Sequence, residues 1–77
     1  MSDPVTVDTK GMKCPLPVLK ARKAMKQLAP GGTLQVLATD PGAVADFEHF
    51  CKVTGAILVN CEAQEDGVLV FVLKKPA

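Results

Sequence analysis

The stretch "PVTVDTKGMKCPLPVLKARKAMKQLAPGG", Pro4 to Gly32, decides the fold, because the hydrophobic period changes inside it. In "PVTVDT" the apolar Val5 and Val7 alternate with Thr6 and Asp8, the two-residue period of a strand with one covered face. From Pro15 the spacing lengthens. Val18, Ala21, Met25 and Leu28 recur at three and four residues, and Lys20, Arg22, Lys23, Lys26 and Gln27 fill the positions between them. That pattern predicts an amphipathic helix with a basic outer face, stopped by Pro30, Gly31 and Gly32.

Outward from this unit the chain continues the same way. "TLQVLAT" (33–39) reads as a second strand, more fully buried than the first. "DPGAVADFEHFCKVTG" (40–55) reads as a second helix, capped by Asp40 with Pro41 at its first position. Phe47, Phe50, Cys51 and Thr54 form its expected inner stripe and Gly55 its end. "AILVNCEAQEDGVLVFVLKK" (56–75) predicts two antiparallel strands joined at Asp66-Gly67. The order is βαβαββ over one domain, residues 1–77. A right-handed crossover makes the first two strands parallel, so the loop carrying Cys14 and the Asp40-Pro41-Gly42 loop emerge at one sheet edge.

Composition narrows the function. With 48 % hydrophobic residues, three Phe and no Trp or Tyr, the core is built from aliphatic side chains, and aromatic platforms for stacking bases are lacking. The net charge of +1 argues against a general polyanion binder, and no nucleic-acid partner is expected. The charge is unevenly placed all the same. Residues 1–39 carry Lys10, Lys13, Lys20, Arg22, Lys23 and Lys26 against Asp3 and Asp8, a net +4, whereas residues 40–77 carry a net −3. The first ten residues lack the basic start and apolar run of a secretory signal, and no apolar stretch is long enough to span a bilayer. A cytoplasmic setting is expected, and there three cysteines read as free thiols rather than a disulfide framework.

Cys14 is the candidate nucleophile. Standing just before a helix, it offers its sulfur to the unpaired amides of the first turn and to the positive end of the macrodipole, which favour thiolate. Pro15 and Pro17 have no N–H, so Leu16 and Val18 are the nearest donors, and the prolines restrict the backbone around the thiol. A helix terminus contributes roughly 0.3 to 2 kcal/mol, a partial activation to which Lys10 and Lys13 add little through solvent. In a Cys-x-x-Cys site the second thiol resolves a mixed disulfide, but here Pro17 holds that place. A thiol that is loaded and does not resolve itself suits a carrier, and a persulfide is a reversible cap of this kind.

These residues carry a resemblance. "VDTKGMKCPLPVLKARKAM", then "PGGTLQVLATDPGAVADF" and a glycine before the last hairpin, resemble the TusA, or SirA-like, family of small sulfur-carrier proteins from about Val7 to Lys75. The Cys-Pro-x-Pro element with Gly11 upstream and Asp40-Pro41 downstream is the specific part. The resemblance implies an α+β fold, a two-layer α/β sandwich with both helices on one face of a four-stranded mixed sheet. It implies a persulfide on Cys14 with no other cofactor and no metal. It also implies loading by a cysteine desulfurase or rhodanese-like donor, and delivery to a downstream acceptor protein. Such a protein is a persulfide carrier more than a multi-turnover enzyme; from the chain itself, a monomer without membrane contact is expected. Its sulfur would serve tRNA thiolation, cofactor sulfuration or sulfur oxidation. Two departures, Val7 for the usual Leu and Thr9-Lys10 for a variable pair, leave the proposed chemistry untouched.

Other readings compete. Cys51 and Cys61, on predicted apolar positions, read as core or half-buried bystanders. A zinc site from Cys14, His49, Cys51 and Cys61 lacks any knuckle spacing, and His49 reads as an exposed helix residue beside Glu48. The basic face of Lys20, Arg22, Lys23 and Lys26 is either solvated surface or a docking face for an acidic partner, and Met12 and Leu16 form an apolar rim beside the thiol. The chief alternative is a thiol-based redox or regulatory module without sulfur transfer, which would need a resolving thiol close by.

Overall fold

The computed structural model describes residues 5–13 and 16–76. Its elements follow the predicted order: β1 (Val5–Thr9), α1 (Leu16–Lys26), β2 (Thr33–Ala38), α2 (Ala43–Thr54), β3 (Ile57–Ala63) and β4 (Leu69–Lys74). The sheet order is β1-β2-β4-β3. β1 runs parallel to β2, with Val7 opposite Val36, and β4 is antiparallel to both β2 and β3.

β2 shows why the helices share one side. Leu34, Val36 and Ala38 are fully buried while Thr33, Gln35 and Leu37 are half-buried, the alternation of a central strand covered on one face. Opposite them on β4 stand Leu73, Phe71 and Leu69, so the same face runs across both strands. Ala21 and Met25 of α1, and Ala43, Phe47 and Phe50 of α2, close over it. Phe47 lies against Phe71 with centroids 4.6 Å apart and meets Phe50 edge-on at 6.2 Å, so three aromatic rings anchor a largely aliphatic core.

Three details differ from expectation. Thr54, expected on the inner stripe of α2, is exposed, because it ends the helix beyond the reach of the sheet's core face. Asp40 does not cap α2 directly: the helix starts at Ala43 with Gly42 at the cap position and no side-chain cap bond. Asp40 works one turn earlier, its Oδ1 accepting the Gly42 N–H and its carbonyl accepting the Ala43 N–H, both at 3.0 Å. Pro41, with its fixed φ, suits the second place of that turn better than the start of the helix. Cys61 was expected to be at least half-buried and is exposed. It pairs with the buried Phe71, but β3 is an edge strand: Leu58 near its start packs on the core, whereas Cys61 further along lies beyond that cover.

The remaining punctuation is as read. Gly55 ends α2 in the left-handed region, donating its N–H to Cys51 at 2.9 Å. The last hairpin turns through Gln64 to Val68, with Gly67 at φ 84°.

Candidate functional site

Parallel β1 and β2 both end at one edge of the sheet, and the chain leaves each to enter a helix there. Two loops therefore meet. After β1, the Met12 N–H bonds to the Thr9 carbonyl at 3.1 Å, closing a turn in which Gly11 takes φ 80°. The Gly11 N–H donates to Thr39 Oγ1 at 2.9 Å, joining this turn to the end of β2. Thr9, the buried polar residue of the core, sends its hydroxyl to the Leu37 carbonyl. Gly11, Met12, Lys13, Thr39 and Asp40 thus line an open cup of about 460 Å³ at the edge that the topology argument singled out.

Cys14 and Pro15 lie outside the described residues, and the site is built from what flanks them. Lys13 is exposed, Met12 half-buried and Leu16 49 % exposed. The Leu16 N–H donates to the Lys13 carbonyl at 2.9 Å. It is committed to that turn, which removes one of the two amide donors the sequence offered. Pro17 is fully buried, so it packs into the core as well as lacking an N–H. Both helices start at this edge, which brings the positive ends of two macrodipoles to it.

The basic residues of α1 are all exposed, on the arc opposite the buried Pro17, Ala21 and Met25, and the two flanks of that arc border different elements. Lys20 and Lys23 lie on the flank shared with Val7 of β1, whereas Arg22 and Lys26 turn toward α2. There a groove of about 320 Å³ runs between the helices, with Leu19 and Val53 as apolar lips, 53 % and 70 % exposed. Asp46 and His49 line it too, and Asp46 Oδ2 is shielded from solvent without a hydrogen-bond partner among the described residues. His49 is exposed, as expected. Leu19, Val53 and Asp46 escaped the sequence reading. Leu19 falls in the arc between the lysines, and its signal was an apolar residue off the helix's inner stripe.

The other two thiols are unlike a nucleophile. Cys51 is half-buried against the core, and desolvation pushes its thiol above its ordinary value, disfavouring the thiolate. Cys61 is exposed on β3. Among the described residues no three His, Cys, Asp or Glu side chains come together as a metal would require. No described helix is long and apolar enough to cross a membrane.

Fold and loop together define a class: two-layer α/β sandwiches in which a Cys-Pro-Leu-Pro segment follows the first strand and leads into the first helix. The family model described as "Sulfurtransferase TusA" matches residues 5–75. The chain belongs to the TusA family. It is 49 % identical over 69 residues to a protein of Neisseria meningitidis named as a putative sulfur carrier protein, covering 90 % of this chain and 92 % of that one. It is 44 % identical over 69 residues to the sulfur carrier protein TusA of Allochromatium vinosum, covering 90 % of each. The crystal structure of a SirA-like protein from Desulfitobacterium hafniense superimposes with a TM-score of 0.84 over 95 % of this chain and 99 % of that one. At 24 % identity this last likeness establishes the fold alone.

Proposed function

We propose that this protein is a sulfur carrier that accepts sulfane sulfur as a persulfide on Cys14 and passes it to an acceptor protein. The observation that carries the reading is the match of nearly the whole chain to the TusA family, with the family's Cys-Pro-x-Pro element intact at residues 14–17. The surroundings support it: the flanking residues sit at an open edge where two helices begin, and Cys51 and Cys61 offer no comparable setting.

Loading is a thiol exchange. The Cys14 thiolate attacks the terminal sulfur of a donor persulfide, the donor's S–S bond breaks, and the donor cysteine departs as thiolate while Cys14 becomes the persulfide. One S–S bond is exchanged for another, so no outside oxidant or reductant enters. Delivery repeats the step with an acceptor thiol as nucleophile. The donor is a cysteine desulfurase or rhodanese-like protein, and it docks over α1, where Leu16 and Leu19 give apolar contact and Arg22 and Lys26 meet acidic residues.

Incubation with a cysteine desulfurase and cysteine adds the mass of one sulfur atom, mapped by peptide analysis to Cys14. Cys14→Ala abolishes the addition, whereas Cys51→Ala and Cys61→Ala retain it. Wild-type loading of Cys14→Ala would refute the assignment.

A further inference from the structure

Among the described residues, a side chain just past the neighbouring strand holds the turn that leads to the motif. Thr39, the residue after β2, accepts the Gly11 N–H on Oγ1 at 2.9 Å, across 28 positions of sequence. Gly11 is the third residue of the Thr9–Met12 turn, whose closing bond uses the Met12 N–H and leaves the Gly11 N–H to seek an acceptor elsewhere. The Lys10, Met12 and Leu16 amides all bond within three positions along the chain, to Asp8, Thr9 and Lys13. Of these four amides, that of Gly11 is the one that reaches across to the β2 side. The second cross-strand bond runs in the opposite sense, from the Thr9 hydroxyl to Leu37, and it is the sheltered partner of the two.

Exposure separates their roles. Thr9 is fully buried, so its bond belongs to the stability of the sheet. Thr39 is exposed, and water would satisfy the Gly11 amide if the hydroxyl were gone. The bond joins the turn of residues 10–13 to the end of β2. Lys13 is bonded directly to Cys14, so the anchoring point of the motif is set there.

We propose that Thr39 is a positioning residue for sulfur transfer: its hydroxyl latches the Gly11 turn to β2 and so holds the motif loop ready for a protein partner. The proposal rests on the reading of Cys14 as the carrier thiol. A donor persulfide buried at a protein interface is presented along one line, and a loop that wanders spends part of its time off that line. A small sulfur donor approaches from any side and does not sense the difference.

The test compares Thr39→Val, which keeps the shape and loses the hydroxyl, with Thr39→Ser, which keeps the hydroxyl. Hydrogen exchange should show the Gly11 amide protected in wild type and Thr39→Ser and unprotected in Thr39→Val. The rate of sulfur transfer from a persulfide-loaded cysteine desulfurase should fall about five-fold in Thr39→Val, the worth of one hydrogen bond. It should recover in Thr39→Ser. Loading by inorganic polysulfide should be the same in all three, and the thermal midpoint of Thr39→Val should fall by no more than the few degrees one hydrogen bond is worth. Thr39→Ala, which lacks the branched side chain, should behave as Thr39→Val if the hydroxyl is what matters. Equal transfer by wild type and Thr39→Val overturns the positioning role, as does failure of Thr39→Ser to rescue. A wild type that loads from neither source overturns the carrier reading itself, and the exchange of the Gly11 amide then still decides whether the latch exists.

Discussion

Replacing Gly11 by Ala separates the stability of the motif loop from its use, because the fold contains a matched control. Gly11 and Gly67 have φ of 80° and 84°, and a Cβ built on either meets nothing within 4 Å. Steric crowding therefore contributes nothing at either site, and the cost of alanine is that of holding an L-residue in the left-handed region, about 1–2 kcal/mol. For a domain of this length each kcal/mol lowers the thermal midpoint by roughly 4–8 °C. Both variants should lose about that much by circular dichroism and remain folded at 25 °C, since small domains hold about 5–15 kcal/mol in reserve. Their sulfur transfer should differ. Gly67 lies in the β3–β4 turn, and Gly67→Ala, corrected for the folded fraction, should transfer sulfur at the wild-type rate. In Gly11→Ala relief of the strain moves the turn and lengthens the bond to Thr39, so transfer from a desulfurase should fall about five-fold or more, the value of one hydrogen bond. If Gly11→Ala kept full stability and full transfer, the left-handed turn would not be a requirement of the motif. If both variants lost transfer equally, the effect would be one of general stability.

Charge reversal tests the split of α1. Arg22→Glu or Lys26→Glu should slow association with an acidic donor, and the effect should shrink as salt rises, whereas Lys20→Glu on the other flank should change the rate less; equal effects from both flanks would restore a single basic face. Phe47→Ala removes a fully buried ring packed on Phe71 and should cost about 3–5 kcal/mol, read as a lower denaturation midpoint at unchanged m-value. With Cys14→Ala as background, alkylation of the folded protein should label Cys61 well before Cys51, because Cys61 is exposed and burial raises the Cys51 thiol. The same raised value makes the contribution of Cys51 complete at neutral pH and lost as pH climbs past the ordinary thiol range, so Cys51→Ala should flatten the alkaline fall in stability.

Much of this protein was legible from one dimension. The change from a two-residue to a 3.6-residue period between Asp8 and Val18 requires a strand and then a helix, and a short βαβ unit permits one handedness. From that follow the parallel pair, the shared edge and the meeting of the Cys14 and Asp40 loops there. Gly55 and Gly67 marked a helix end and a turn in the sequence, and both take positive φ, which glycine alone adopts without cost. The proposal of Cys14 as the reactive thiol is also local, a matter of what stands beside it in the chain.

The tertiary structure decided what depends on which strand lies outermost and which side chains meet across elements. Cys61 has an inward register, yet it is exposed because β3 ends the sheet, a fact of strand order that no window of sequence contains. Pro17 reads in sequence as the place of a missing resolving thiol. In the fold it is a buried core residue, so a cysteine there would face the core. The lysines and arginine of α1 read as one stripe, and only the packing shows that one flank borders β1 and the other α2. Asp46 and Thr39 carried no signal. One is defined by a groove between two helices and the other by a bond to a residue 28 positions away, and both exist only once the chain has brought distant segments together.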